Sequence, residues 1–459
     1  MNRITKRTWI MGLFLLVLLG GLLVFVYEYV TEAETWVSFS GSPHLYNSSN
    51  IGCGSITDRS GELLLDISQG RTYSDSTATR KSTLHWLGDR KGFINAAAVS
   101  TYAGAMVGFD RINGVYDASG EGGTAKLTLS AKVQNTALEA MGNRKGTVAV
   151  YNYKTGEILC ALTTPTYDPE NVPDIANDTS GAYDGVYLNR FVQSAYVPGS
   201  IFKIVTLSAA LDCVPGIEEK TFTCRGKVAY GTEAVTCEKA HGTQTLKQAF
   251  ANSCNCAFAQ IADLVGRNNM VKYVEQFDVT KTLSFDGITT AAGNYDIADT
   301  AQVTFAWSCI GQHSDLVNPA RYMTFMGAIA GGGVAAEPYL MEHVENGGDT
   351  TYQAKVTKTD RLMPQSVANT VAEYMRNNVK TVYGDGNFSG LPVCAKSGTS
   401  QLGGGQKSNA MFAGFVDSED YPLACMVVVE NGGYGSHTCV PILSKVLAAC
   451  KTVLDAESL

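Results

Sequence analysis

A hydroxyl and an amine lie three residues apart, on Ser200 and Lys203, in the segment 196–203, YVPGSIFK. The apolar run that follows, 204–211, predicts a helix with Ser200 in its first turn and Lys203 one turn on, so that both side chains share a face. A serine hydroxyl is a weak nucleophile unless a base lies within hydrogen-bond reach. The spacing therefore predicts an activated serine.

Two further segments strengthen this interpretation, because about one S-x-x-K spacing is expected by chance in a chain of this length. The segment 253–255, SCN, interrupts a helical region and presents a hydroxyl and an amide. The segment 396–399, KSGT, follows an apolar run on a predicted strand. S-x-x-K, S-D-N and K-T-G, in this order, are the signature of penicillin-binding proteins and class A β-lactamases.

Segments outside these motifs resemble one branch of that group, the class B penicillin-binding proteins, which are membrane-anchored D,D-transpeptidases of peptidoglycan synthesis. Residues 54–61 resemble the family's membrane-proximal G-x-I-x-D-R-x-G element. Residues 146–169 resemble the start of its transpeptidase domain, and 310–312 resemble its helix bearing G-Q. The sequence departs from the pattern at Cys254 and at Ser397, where serine replaces the commoner threonine and keeps a hydroxyl.

The resemblance and the chemistry imply the same catalytic roles. Ser200 would be the nucleophile and Lys203 its base, which requires a neutral lysine whose pKa is lowered by burial and by a neighbouring positive charge. Lys396 would supply that charge. Ser253 would pass the proton to the leaving amine, and Asn255 would hold both the substrate amide and Lys203.

The last motif is expected to bind the substrate. Lys396, Ser397 and Thr399 would bind the terminal carboxylate of a D-Ala-D-Ala stem peptide, and Gly398 would let the strand backbone approach the substrate closely. The backbone amides of Ser200 and Thr399 would form an oxyanion hole, where each donor contributes about 10² to 10³ in rate.

The expected reaction is acyl transfer through an ester on Ser200, which a β-lactam would also acylate. A hydrolytic alternative is a D,D-carboxypeptidase, a β-lactamase or a β-lactam sensor, although a hydrolase needs no region like 31–127. A third alternative is a non-catalytic scaffold that regulates a glycan polymerase, although the intact motifs argue against this as the sole role.

The amino-terminal residues predict a membrane anchor. Residues 8–27 carry no charge and follow Arg3, Lys6 and Arg7, and twenty apolar residues span roughly 30 Å as a helix. The basic flank predicts a cytoplasmic amino terminus and an extracellular catalytic domain. A cleaved signal peptide is the alternative, but the apolar run is too long and lacks an A-x-A-like site.

The predicted domains are a cytoplasmic tail (1–7), a transmembrane anchor (8–30), a β-rich membrane-proximal pedestal (31–127) and a transpeptidase domain (128–459). Two strand-like runs near residues 146–162 and three near 391–430 predict one sheet built from both ends of this last domain. The fold class is therefore α/β (α+β), with an antiparallel, β-lactamase-like sheet flanked by helices.

Composition limits the partners. The net charge of −8 and the lack of a basic patch exclude nucleic acid. The expected partners are the stem peptide, β-lactams and membrane lipid around 8–30. Because no glycosyltransferase domain fits between the anchor and residue 128, the resemblance also implies a polytopic glycosyltransferase partner. Acyl transfer through serine implies no cofactor.

Cys224 and Cys237, two of the twelve cysteines, bracket a polar loop or hairpin. In an exported protein they are expected to form a disulfide, worth about 3 kcal/mol in the chain-entropy model. A zinc site is not expected, because Cys254 and Cys256 have a single residue between them and no second ligand pair is apparent nearby.

Overall fold

The structure is a computed structural model that describes residues 2–37, 54–68, 71–107, 109–110, 114–115, 122–401 and 407–458. The α-helices are α1 (Asn2–Val37), α2 (Thr77–Leu87), α3 (Ala97–Thr101), α4 (Ala103–Val107), α5 (Ala131–Met141), α6 (Arg190–Gln193), α7 (Lys203–Cys213), α8 (Leu246–Ala251), α9 (Asn255–Val265), α10 (Arg267–Gln276), α11 (Gln302–Ser308), α12 (Pro319–Ala330), α13 (Gln365–Asn378) and α14 (Gly435–Glu457). Tighter 3₁₀ turns cover Ile175–Asn177, Gly199–Phe202, Ile217–Glu219 and Asp385–Phe388, and a π turn covers Val379–Tyr383.

The strands are β1 (Ser55–Thr57), β2 (Leu63–Asp66), β3 (Thr72–Tyr73), β4 (Phe109–Asp110), β5 (Gly114–Val115), β6 (Thr124–Leu127), β7 (Gly146–Asn152), β8 (Ile158–Thr164), β9 (Thr221–Cys224), β10 (Lys227–Tyr230), β11 (Glu233–Thr236), β12 (Gly242–Thr245), β13 (Ser284–Phe285), β14 (Ile288–Thr289), β15 (Met341–Asn346), β16 (Asp349–Gln353), β17 (Val393–Ser400), β18 (Asn409–Val416) and β19 (Leu423–Val429).

A five-stranded antiparallel sheet in the order β17-β18-β19-β7-β8 forms the centre of the fold. Strand β18 alternates its side chains between two cores, with Met411 on one face and Phe412 on the other. Helices α5 and α14 cover one face and α12 covers the other, so every residue of β18 is buried. The predicted sheet of two early and three late strands is therefore confirmed.

A second sheet joins the membrane-proximal region to the rest of the chain. Its order is β16-β15-β6-β1-β2-β3, and β6 pairs with β15 from beyond residue 340. The G-x-I-x-D-R-x-G element reinforces this junction, because Asp58 accepts a hydrogen bond from the Ala131 amide at 2.9 Å. The Arg59 guanidinium also pairs with Glu457 at 2.6 Å. The sheet continues across residue 127, so the division predicted there stays a prediction.

Helix α1 contains the predicted anchor. Within the described residues, it is the helix long and apolar enough to cross a membrane, over Ile4–Ala33 with a mean hydropathy of 2.7. Its apolar side chains are exposed, as expected of a surface that lipid would cover.

Candidate active site

Ser200 lies on a tight turn that presses against β17. Gly199 has a φ of +57°, and its amide donates to the carbonyl of Gly311 at 2.7 Å. A Cβ on Gly199 would lie 2.6 Å from the carbonyl oxygen of Thr399, so a larger residue cannot occupy this position without displacing the strand. Residues Gly199–Phe202 form a 3₁₀ turn and the α-helix begins only at Lys203, which differs from the predicted continuous helix.

The Lys203 side chain is fully buried and joins two of the predicted motifs. Its Nζ lies 2.9 Å from Ser200 Oγ. It also donates to the Ser253 carbonyl and to Asn255 Oδ1, each at 2.7 Å. The turn that carries SCN is thereby held over the nucleophile.

Lys396, also fully buried, reaches the hydroxyl of Ser253 from the strand side. Its Nζ donates to Ser253 Oγ at 3.0 Å and to the Ser397 carbonyl at 2.9 Å. Ser253 itself has a φ of +50°, a left-handed conformation that costs roughly 1 to 2 kcal/mol for a residue with a side chain. Strain of this kind is typical of functional sites.

Burial shifts both lysines towards the neutral amine. Removal from water is the largest cause that lowers the pKa of Lys203 well below its usual range, and the positive charge of Lys396 is the second. Burial alone lowers the pKa of Lys396 to about 7. Burial and a neighbouring positive charge, the two influences predicted to lower the pKa of Lys203, are therefore both present.

The remaining residues of the last motif lie along β17. Tyr383 accepts a hydrogen bond from the Ser397 amide at 2.9 Å, and its hydroxyl lies 3.0 Å from Ser397 Oγ. A Cβ on Gly398 would lie 2.8 Å from the Pro198 carbonyl oxygen. The close approach that Gly398 permits in this structure is therefore to the Ser200 turn, and its approach to a substrate stays a prediction.

Two contacts hold Thr399 in place. Its Oγ1 accepts from the Gly435 amide and its carbonyl accepts from Gln312 Nε2, both at 3.3 Å. The turn that carries Ser200 and the strand that carries Thr399 are thus packed together, while an oxyanion hole formed by their amides stays a prediction.

No catalytic or binding role is predicted for Tyr383 or Gln312 from the sequence. Gln312 belongs to the segment that resembles the family's G-Q helix. Tyr383 lies in the π turn after α13 and carries no local pattern that marks it as part of a site. Its place follows from packing against β17.

The predicted disulfide is wrong in this structure: Cys224 and Cys237 are both free. Their sulfurs instead contact His241 Nδ1, at 3.6 Å and 3.5 Å respectively. Cys254 completes the group, with its sulfur 3.9 Å from that of Cys237. The expectation that no second ligand pair lies near Cys254 is also wrong, because the pairing of β9 with β12 brings Cys224 and His241 together, and both lie beside Cys237 and Cys254.

Comparison with known families identifies the constellation. Residues 146–448 match the family described as the penicillin binding protein transpeptidase domain, a match that covers Ser200, Lys203 and the motifs at 253–255 and 396–399. The chain belongs to this family. With the apolar helix α1, the protein is a membrane-anchored class B penicillin-binding protein.

Relatives of this penicillin-binding protein agree with the match. It is 27% identical over 340 residues to the peptidoglycan D,D-transpeptidase PbpA of Mycolicibacterium smegmatis, covering 68% of each chain. It is 26% identical to the D,D-transpeptidase domain of a peptidoglycan glycosyltransferase from Eggerthella lenta, with a TM-score of 0.74 over 87% of this chain and 98% of that one. Penicillin-binding protein A of M. tuberculosis, solved as a ceftriaxone acyl-enzyme complex, shares the fold at 22% identity, with a TM-score of 0.73 over 86% of this chain and 97% of that one.

Proposed function

We propose that this protein is a serine D,D-transpeptidase that cross-links peptidoglycan stem peptides through an acyl-enzyme on Ser200. The observation that carries the proposal is the set of partners around Lys203 Nζ. The Ser253 carbonyl and Asn255 Oδ1 can only accept hydrogen bonds, so they take both hydrogens of a neutral amine. The lone pair of that amine is then left for the proton of Ser200 Oγ, 2.9 Å away.

In the acylation step, Ser200 Oγ attacks the carbonyl carbon of the penultimate D-Ala and its proton moves to Lys203 Nζ. The C–N bond to the terminal D-Ala breaks, and the leaving amine takes a proton from the Ser253 hydroxyl. That hydroxyl regains a proton from Lys203, whose Nζ lies 3.2 Å from it. The products are an ester on Ser200 and free D-Ala, and the base is again neutral.

In the second step, the amine of a neighbouring stem peptide attacks the ester and reverses these transfers. Lys396, Ser397 and Thr399 would bind the terminal carboxylate of the donor, and Asn255 would hold its amide. The amides of Ser200 and Thr399 would stabilise the oxyanion in each step. A β-lactam mimics the donor and leaves an ester on Ser200 that resists release.

The test is covalent labelling of the full-length protein in detergent with a fluorescent penicillin. The wild type and a Ser284→Ala control, at an exposed position in β13, should label with equal yield, and Ser200→Ala should not label. Labelling of the Ser200→Ala variant would contradict the assignment of Ser200 as the nucleophile. Release of the label within minutes would favour a carboxypeptidase, a β-lactamase or a sensor, whereas persistence for hours fits a transpeptidase.

The placement of the enzyme is part of the same proposal. The basic residues Arg3, Lys6 and Arg7, which precede the apolar stretch of α1, support a cytoplasmic amino terminus, with the pedestal 31–127 and the transpeptidase domain 128–459 outside. An alkaline phosphatase fused after Leu459 should therefore be active in intact cells. Inactivity of that fusion, with activity of an amino-terminal fusion, would reverse the orientation.

A polytopic glycosyltransferase is the proposed partner of α1 and the pedestal. Deletion of residues 1–127 is a poor test, because β6 pairs with β15 and its loss would disrupt the sheet. Replacing residues 8–30 with an unrelated transmembrane helix keeps the sheet intact. The replacement should reduce co-purification of the glycosyltransferase, and unchanged co-purification would contradict a role for α1.

A further inference from the structure

Four side chains that could bind a metal converge on the turn that carries Ser253 and Asn255. They are Cys224, Cys237, His241 and Cys254, whose sulfur and imidazole nitrogen atoms all lie within 4.8 Å of one another. Two of the four residues are fully buried and two are partly buried. The group lies outside the set of residues that performs the proposed acyl transfer.

Three of the six separations among the ligand atoms match those around a tetrahedral metal ion, and all six are below 4.8 Å. Zn–S bonds of about 2.3 Å and Zn–N bonds of about 2.0 Å place the corners of a tetrahedron about 3.5 Å apart for S···N and about 3.8 Å apart for S···S. Cys224 and Cys237 lie 3.6 Å and 3.5 Å from His241 Nδ1, and the sulfurs of Cys237 and Cys254 lie 3.9 Å apart. A disulfide would require sulfurs about 2.05 Å apart.

The geometry points to a structural zinc site with three thiolate ligands and one imidazole ligand. Thiolate and imidazole ligands in a tetrahedral arrangement select zinc over magnesium or calcium, which prefer oxygen. Four protein ligands leave no open position for a water or a substrate, so the ion would be structural. Three thiolates and a neutral imidazole around Zn²⁺ give the cluster a net charge of −1.

The surrounding elements explain why a metal is needed here. Cys224 ends β9, Cys237 follows β11, and His241 precedes β12. These strands form two separate two-stranded ladders with mostly exposed or half-buried side chains. A two-stranded ladder without a core is marginally stable in water, and a metal ion supplies the missing stability.

The fourth ligand connects this insertion to the active site. Cys254 is the middle residue of SCN, and its sulfur accepts from the Ala257 amide at 3.4 Å in the first turn of α9. On the other side, Asn255 Nδ2 donates to the Thr236 carbonyl at 2.9 Å, one residue before Cys237. An ion bound to Cys237 and Cys254 would therefore fix the backbone on both sides of this contact and hold Asn255 against Lys203.

The first experiment measures metal in the full-length protein, purified in detergent with a reducing agent and without chelators. We expect about one zinc per chain by elemental mass spectrometry. A strong chelator should remove the zinc and lower the thermal unfolding midpoint by at least about 5 °C, and ZnCl₂ should restore both. Protein that is free of zinc as purified, and whose midpoint does not change with ZnCl₂, would overturn the site. So would a Cys224–Cys237 disulfide in protein purified without reducing agent.

Variants assign the ligands. Cys237→Ser and His241→Ala should each bind zinc about tenfold more weakly or worse. The matched control is Cys213→Ser, at a partly buried cysteine outside the cluster, which should keep the wild-type zinc content. Equal zinc loss in the control, or none in the two ligand variants, would contradict the assignment. A test on the wild type does not depend on whether the variants fold. Adding Co²⁺ to the chelated wild type should give thiolate-to-Co(II) charge-transfer absorption, and absence of that absorption would contradict thiolate ligation.

The link to the active site has its own readout. Removal of zinc from the wild type should slow acylation by a fluorescent penicillin about tenfold, and ZnCl₂ should restore the rate. An unchanged acylation rate in the zinc-free protein would overturn the positioning role. The zinc content does not depend on whether Ser200 is acylated, so the metal site and the proposed enzyme activity are tested independently.

Discussion

Lys396 Nζ donates a hydrogen bond to Ser253 Oγ at 3.0 Å, and the same hydroxyl lies 3.2 Å from Lys203 Nζ. One serine hydroxyl thus joins two buried amines that come from distant parts of the chain. Because both lysines are removed from water, protonation of one disfavours protonation of the other.

Replacing Lys203 with arginine should strongly slow acylation while keeping a cationic side chain. A guanidinium stays protonated and cannot accept the proton of Ser200. We expect acylation by penicillin to slow by at least about 10², within the range for loss of a general base. The rate is measured by quenching the labelling reaction at intervals. The control is Lys272→Arg, at an exposed position in α10. A Lys203→Arg variant that folds and acylates within a few-fold of the wild type would contradict the role.

The lowered pKa of Lys396 should appear as a pH-dependent stability. Its pKa is about 7 in the folded chain and about 10.4 when unfolded. Between these values the unfolded state binds more protons, so the free energy of unfolding of the wild type rises with pH by up to about 1.4 kcal/mol per unit. Below about pH 7, Lys396 is protonated in both the folded and the unfolded state, so the folded state bears the full free-energy cost of burying the charged ammonium.

Lys396→Met removes this titration. The variant's free energy of unfolding, relative to the wild type, should therefore be most favourable near pH 7 and should fall by about 1 to 3 kcal/mol as the pH is raised to 9. Denaturant unfolding at several pH values measures it, and Lys272→Met should show no such trend. A difference between Lys396→Met and the wild type that stays constant with pH would show that Lys396 does not titrate in this range.

A methyl group at Gly398 should separate the nucleophile from the strand. The added Cβ would lie 2.8 Å from the Pro198 carbonyl oxygen, so β17 or the Ser200 turn must move. We expect Gly398→Ala to slow acylation by about 10² and to cost about 1 to 3 kcal/mol of stability. Gly386→Ala is the matched control, because no atom lies within 4 Å of its added Cβ. Equal acylation by both variants would show that the close approach is not required.

Sequence patterns predicted the parts of the fold that carry strong local signals. Strands β7, β8, β18 and β19 are mainly apolar runs bounded by turn residues, and β17 begins with the apolar residues that precede the KSGT motif. The order of the three motifs likewise placed Ser200 and Lys396 in one site. The exception is the turn at Gly199–Phe202, where contacts with Thr399 and Gly311 favour a 3₁₀ turn over the predicted helix.

Features that depend on strand register were not predictable. Cys224 lies opposite Gly242 in the pairing of β9 with β12, and this register brings His241 to its sulfur. Both strands are short and half-exposed, so neither has a strong pattern of its own. The predicted pairing of Cys224 with Cys237 rests only on the loop between them, whereas His241 and Cys254 lie outside that loop.

Tyr383 provides a test of the structure, since no sequence pattern marks it as part of the site. Its hydroxyl accepts from the Ser397 amide at 2.9 Å, beside the predicted carboxylate site. Tyr383→Phe leaves this amide without its partner, so we expect a loss of about 1 to 2 kcal/mol of stability. Because Ser397 would bind the substrate carboxylate, we also expect about tenfold weaker binding of penicillin before acylation, with a smaller change in the acylation step itself.

The matched control is Tyr352→Phe, which removes one hydroxyl contact, with Tyr102 at 3.0 Å, in the second sheet. It should lower stability by a similar amount and leave penicillin binding unchanged. The two steps are separated by following labelling over a range of penicillin concentrations, where the half-saturating concentration reports binding and the plateau reports acylation. If Tyr383→Phe changes only the plateau, Tyr383 acts on the nucleophile and not on carboxylate binding. If the two variants behave alike, the contact between Tyr383 and Ser397 is structural only.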